Sequence, residues 1–74
     1  MTLNELPINS TGIVEKLNCD GNIRRRLLDL GIIKNTPIKA VLKSPSGDPT
    51  AYEVRGSLIA IRKVDASLID IYSS

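Results

Sequence analysis

Apolar and polar residues trade places along the chain with two periods, and each change of period marks an element. Thr2-Leu3-Asn4-Glu5 has capping-box spacing and predicts a short helical turn from Leu3, which Pro7 limits by withholding an amide donor. Leu3 and Leu6 then share a face. Gly12 opens a strand predicted over Ile13 to Leu17, where β-branched residues alternate imperfectly with Glu15 and Lys16. Asp20-Gly21-Asn22 breaks that strand and offers an N-cap. Beyond it Ile23, Leu27 and Leu30 recur at helical spacing and Gly31 supplies a left-handed stop, so a helix is predicted from about Asn22 to Leu30 with those three residues toward the core. Arg24, Arg25 and Asp29 take its other side, with Arg25 and Asp29 spaced for an ion pair worth a few tenths of a kcal/mol at about one helical turn.

The rest of the chain alternates with period two. From Thr36 to Lys43, Ile38, Ala40 and Leu42 alternate with Lys39, Val41 and Lys43, the pattern of a half-buried strand with a partly basic outer face. Ser44 to Pro49 is a turn cluster. Thr50, Tyr52 and Val54 alternate with Ala51, Glu53 and Arg55, after which Gly56-Ser57 fits a two-residue type II′ hairpin into Leu58 to Lys63. Asp65-Ala66-Ser67 fits a one-turn helix capped by Asp65, and Leu68 to Tyr72 a last strand with Ile69 and Ile71 on one face. The fold class is mainly β: a small bent barrel of about five strands with one α-helix inserted after the first, its closure hiding the sheet edges. A length of 74 residues supports one domain, residues 1–74, with nearly every Ile, Leu and Val needed for its core.

Composition changes the picture mainly by subtraction. There is no His, so the commonest general base and the commonest imidazole metal ligand are missing and no Ser-His-Asp or Cys-His arrangement can exist. Cys19 has neither a His to activate it nor a second Cys to pair with, which reads as an inert thiol in a reducing compartment. The eight acidic residues form no ligand loop, and Asp20 and Asp48 sit where Asp bonds turn amides. The glycines are isolated, without a phosphate-cradling loop. We therefore expect no enzyme, no catalytic residues, no cofactor and no metal site.

Ten basic residues interspersed with eight acidic ones give a net charge of +2, too even a balance to imply nucleic acid, and Tyr52 and Tyr72 are the only aromatics available for stacking. Met1 to Ser10 lacks the layout of a secretion signal and apolar runs such as Leu58 to Ile61 are far too short to cross a bilayer, so a cytoplasmic protein with no direct membrane insertion is expected.

The run Arg24-Arg25-Arg26 is the one unusual charge feature, and successive helical residues diverge by about 100°, so the three cannot serve one contact. Leu28 lies off the Ile23-Leu27-Leu30 face by the same step. Flanked by Arg24 and Arg25, it has the makings of a protein-contact patch, with burial in the core as the open alternative.

The segment Arg26-Leu27-Leu28-Asp29-Leu30-Gly31-Ile32 resembles the Arg-Leu-x-x-Leu-Gly core of the FeoA (ferrous iron transport protein A) family. Leu3, Leu6 and Gly12 before Val14 precede it in register; Gly47-Asp48-Pro49, Tyr52-Glu53-Val54-Arg55-Gly56, Ile59-Ala60-Ile61-Arg62, Asp65-Ala66 and Ile69 follow. The resemblance covers almost the whole chain. It implies an SH3-like barrel and a role as a cytosolic accessory that binds the cytoplasmic part of the membrane ferrous iron transporter FeoB. The helix faces and exposed charges of this sequence add Arg24, Arg25, Leu28 and Arg55 as the candidate partner-binding residues. Two alternatives stand beside it: a GTPase-activating partner inserting Arg24, Arg25 or Arg55 into the transporter's G domain, and a free-standing regulatory barrel like the C-terminal domain of iron-dependent repressors. The missing helix-turn-helix segment weighs against the last.

Overall fold

The computed structural model of the protein describes residues 1–73. A 3-10 turn over Leu3–Glu5 is followed by strand β1 (Thr11–Leu17), helix α1 (Gly21–Asp29), strands β2 (Pro37–Lys43), β3 (Thr50–Val54) and β4 (Ser57–Ile61), a four-residue helix α2 (Lys63–Ala66) and strand β5 (Ile69–Ser73). The opening turn forms because its capping box closes: the Thr2 amide donates to Glu5 Oε1 at 2.8 Å, which also pulls the Glu5 carboxyl below its ordinary range. Leu3 and Leu6 are thereby driven into the core.

All pairings are antiparallel, and the sheet order is β4-β3-β2-β1-β5. The sheet does not close through hydrogen bonds, since β4 and β5 are not paired. Its β5 edge is instead taken by the N-terminal segment: the Ile71 amide donates to the Met1 carbonyl at 2.8 Å and Thr2 bridges to Asp70. The mainly β architecture with one helix between the first two strands is as expected.

Period two holds in β3 and β5, where Thr50, Tyr52, Val54, Ile69 and Ile71 are buried. Burial pushes the Tyr52 phenol above its ordinary value, an effect to which the Asp48 charge adds and a hydrogen bond with Thr50 opposes. In β2 the alternation breaks. Ala40 pairs with Tyr52 but Leu42 pairs with Ala51, so Val41 is an extra residue, and beyond this bulge Leu42 stands on the outer face with 53% of its surface exposed. The core position expected for Leu42 is thus overturned.

Helix α1 also docks more narrowly than its periodicity suggests, for Leu27 is its one buried residue while Ile23 and Leu30 are exposed. For Leu30 the cause lies in the helix's ending. Gly31, at φ +87°, lets the Ile32 amide reach the Leu27 carbonyl (3.0 Å) and its own amide reach that of Leu28 (2.9 Å), a Schellman closure that carries Ile32 inward in place of Leu30. At the other end Asp20 occupies the N-cap position but its side chain makes no capping bond.

Two turns are also displaced from their expected places. Arg55 (φ +51°) and Gly56 (φ +83°) form the β3–β4 turn and Val54 pairs with Ser57, so the geometry is type I′ one residue earlier than Gly56-Ser57. Asp65 is the third residue of α2 rather than its cap; it is buried and takes two hydrogen bonds from Arg62. The α2 start is capped from another loop, the Lys63 amide donating to Asp48 Oδ1 at 2.8 Å.

Candidate functional site

Helix α1 presents its outer face as expected from the 100° step. Arg24, Arg25 and Leu28 line one shallow depression with Gly21 and Asp29, and Leu28 is 38% exposed, which decides its two readings in favour of the surface. Arg24 and Leu28 also face β1. There they share a broader depression with Lys16 and Glu15 of that strand, with Ile33 and Lys34 from the loop after the helix, and with Asp70 of β5. The Arg24 guanidinium is steadied by the Leu17 carbonyl at 3.4 Å.

The result is an apolar pair, Leu28 and Ile33, set among Lys16, Arg24, Arg25 and Lys34 with Glu15, Asp29 and Asp70 interspersed. Exposed apolar side chains inside a rim of mixed charge suit a protein partner whose own contact is apolar with complementary charges around it. The expected Arg25–Asp29 ion pair does not form; among the described residues the ion pair within 4.0 Å is Arg62–Asp65. The charges of Arg25 are therefore available to a partner.

Arg55 stands apart from this cluster. It sits in the β3–β4 turn, where its Nε donates to the Gly31 carbonyl and its Nη2 to Thr36 Oγ1, both at 3.3 Å. Thr36 is buried, and its hydroxyl also takes the Ile33 amide and gives to Gly31. Of the four sequence-derived candidates the structure thus brings three together and ties the fourth to the C-terminal end of the helix. Lys16, Ile33 and Lys34 were missed by sequence reasoning; the one available signal was Gly31, after which Ile32 turns inward and Ile33 outward.

Among the described residues no helix is long and apolar enough to cross a membrane, and no three His, Cys, Asp or Glu side chains are grouped so as to hold a metal ion.

Residues 1–72 match the family model of the FeoA domain. The chain is 32% identical over 71 residues to a Campylobacter jejuni protein named for Fe(2+) transport protein A, covering 96% of both chains. It is 27% identical over 71 residues to a Porphyromonas gingivalis fusion of Fe(2+) transport protein A with the Fe(2+) transporter FeoB, spanning 96% of this chain but 8% of that polypeptide. The solution structure of iron(II) transport protein A from Clostridium thermocellum superposes with a TM-score of 0.95 at 26% identity, covering 99% of this chain and 45% of that one. FeoA of Stenotrophomonas maltophilia, a prokaryotic SH3-domain protein solved with zinc, gives 0.84 at 33% identity, covering 96% and 88%. Among the described residues there is no ligand cluster that fits a zinc site. A manganese-dependent transcriptional repressor superposes at 0.89 with 15% identity over all of this chain and 41% of its own, a likeness of fold alone. With an SH3-like β architecture and a family model matched over residues 1–72, the chain belongs to the FeoA family of ferrous iron transport proteins.

Proposed function

We propose that this protein is a cytoplasmic, non-enzymatic accessory of ferrous iron uptake that docks on the cytoplasmic part of a FeoB-type transporter through the outer face of α1. The observation that carries the reading is the exposed Leu28 between Arg24 and Arg25, with Ile33 beside it, on a member of a ferrous iron transport family. The P. gingivalis fusion supports the choice of partner, because there a stretch similar to this chain shares one polypeptide with a FeoB transporter. Two physically separate proteins that work together gain effective concentration when joined in this way.

Leu28 and Ile33 give up water on docking and supply affinity; Arg24, Arg25, Lys16 and Lys34 set orientation and steer acidic surface toward them. Arg55 acts from behind, holding the helix end in place through Gly31 and Thr36. Amide spectra of this chain recorded during titration with the cytoplasmic domain of a FeoB-type transporter test the proposal: shifts centred on residues 24 to 34 support it. Shifts confined to the β2–β3 loop or to β5 would place the interface elsewhere.

A further inference from the structure

The two edges of the sheet differ. The N-terminal segment lies along β5, whereas among the described residues nothing pairs with the outer side of β4. Because the Arg55-Gly56 turn has two residues, Val54 and Ser57 form a hydrogen-bonded pair, and so do Tyr52 and Ile59. Leu58 and Ala60 alternate with them and turn their amides and carbonyls away from β3, where no described group bonds them. Both residues are exposed, Leu58 by 61%. The devices that usually blunt an edge are missing here. Ser57–Ile61 holds no charge and no Pro, and its register with β3 runs without the irregularity found in the β1–β5 and β2–β3 pairings. Beside the end of this strand, Ala60, Ile61 and Arg62 share a cleft with Ile23, Arg26 and Leu30 of the α1 segment, which includes the two apolar residues that α1 leaves exposed on this side.

We propose that the β4 edge takes an extended segment of a partner protein as an added strand, one with apolar side chains in its middle and acidic residues at its ends. Free backbone groups at every second residue fit an extended chain, whose own amides and carbonyls repeat with that period, and not a helix, which uses its backbone groups internally. On one face the segment's side chains lie beside Leu58, and on the other they approach Ile23 and Leu30. The charges at the ends of β4 select the occupant further. Arg62 follows the strand with Arg26 across the cleft from it, and Arg55 precedes it. The acidic neighbours are Asp65, buried and held by Arg62, and Glu53, one strand inward. Arg26 is exposed and forms no ion pair among the described residues. A carboxylate at either end of the added strand thus meets a guanidinium. The same charges tell against a second copy, because antiparallel two-fold pairing of two β4 edges sets Arg62 of each copy beside Arg55 of the other. Arg26 points to a different side of α1 from Leu28, so this edge is separate from the Leu28–Ile33 surface and the inference does not depend on the transporter.

Amide spectra and hydrogen exchange of the full chain, titrated with the end-capped peptide Asp-Thr-Val-Thr-Val-Thr-Asp, test it. The Leu58 and Ala60 amides should shift saturably and exchange more slowly, because each gains an acceptor. The same peptide N-methylated along its backbone should not bind, and one with Lys in place of both Asp residues should bind about tenfold more weakly. Arg26→Glu should narrow that preference for acidic ends. Ala60→Pro deletes an outward N–H that the fold does not use and should abolish binding with native amide dispersion retained. The methylated peptide leaves the protein untouched, so its result stands whether or not the proline variant folds. Unmoved Leu58 and Ala60 amides overturn the proposal, as does equal binding of the methylated peptide, which would mean a side-chain contact. Equal binding of the Lys-ended peptide overturns the acidic occupant. Protection of Leu58 and Ala60 that grows with protein concentration in the absence of peptide would assign the edge to a second copy and overturn the proposal as well.

Discussion

The Arg55 side chain lies across Gly31: its Nε bonds the Gly31 carbonyl at 3.3 Å, and a Cβ added at Gly31 would stand 3.2 Å from the Arg55 Cδ. The hairpin turn and the end of α1 are locked at this point, since Gly31 at φ +87° also closes the helix. Gly31→Ala should destabilise the fold by about 1 to 3 kcal/mol, through the left-handed backbone first and crowding second. Arg55→Ala removes the crowding but leaves the backbone term. In a double-mutant cycle the two changes should therefore be less than additive, with a coupling of roughly 0.5 kcal/mol or more by chemical denaturation. Strict additivity would show that Arg55 and Gly31 do not communicate.

Gly56 isolates the backbone term. Its φ is +83° and nothing lies within 4 Å of where a Cβ would stand, so a side chain there meets space but a disfavoured conformation. Gly56→Val should cost roughly 1 to 3 kcal/mol, with β-branching adding to the strain. Gly56→Asn should cost less, because Asn visits the left-handed region more readily. Equal melting temperatures for the two variants would contradict the type I′ turn.

Tyr52 gives the protein an alkaline limit. Burial holds its phenol above the ordinary value of 10.0, so the folded state prefers the neutral form more strongly than the unfolded state does. The stability this represents is fully present below pH about 10 and is lost as pH rises through the folded value, because unfolding then releases a proton. In a Tyr72→Phe background the single remaining phenol should titrate above 10.0 by ultraviolet absorbance, together with a loss of thermal stability. Titration at or below the ordinary value would mean that Tyr52 is not buried.

Alternation made the inward residues of β3 and β5 legible, because a strand buried on one face writes a period of two directly into its sequence. Leu42 was illegible for the converse reason: Val41 fits the alternating pattern, and only its pairing partners reveal it as an inserted residue. Ile23 and Leu30 look like core on a helical wheel, but the Schellman closure that brings Ile32 inward is a property of the chain after the helix. The β3–β4 turn was misplaced by one residue because a left-handed Arg is disfavoured locally and is held here by contacts with Gly31 and Thr36. Of the candidate site, Arg24, Arg25 and Leu28 followed from helix geometry. Lys16 joins them because the short connection after β1 folds α1 back beside that strand, and Ile33 and Lys34 because the closure at Gly31 turns the following loop outward, neither of which the periodicity of the helix itself shows.

Adjacent leucines on α1 separate stability from function most sharply. Leu27 is 3% exposed and Leu28 is 38% exposed, although the two have identical side chains and neighbouring places on one helix. Leu27→Ala should cost about 2 to 5 kcal/mol, the range for a leucine cut from a packed core. Leu28→Ala removes less buried surface and should cost under about 1 kcal/mol, so the variant folds and can be assayed. Arg25→Glu, which breaks no ion pair, should be nearly neutral for folding. Both Leu28→Ala and Arg25→Glu should weaken binding to a transporter cytoplasmic domain in calorimetry, the first with little dependence on salt and the second through an electrostatic term that salt suppresses. If each binds as wild type does, the α1 face is not the docking surface, whatever the Leu27 variant does to stability.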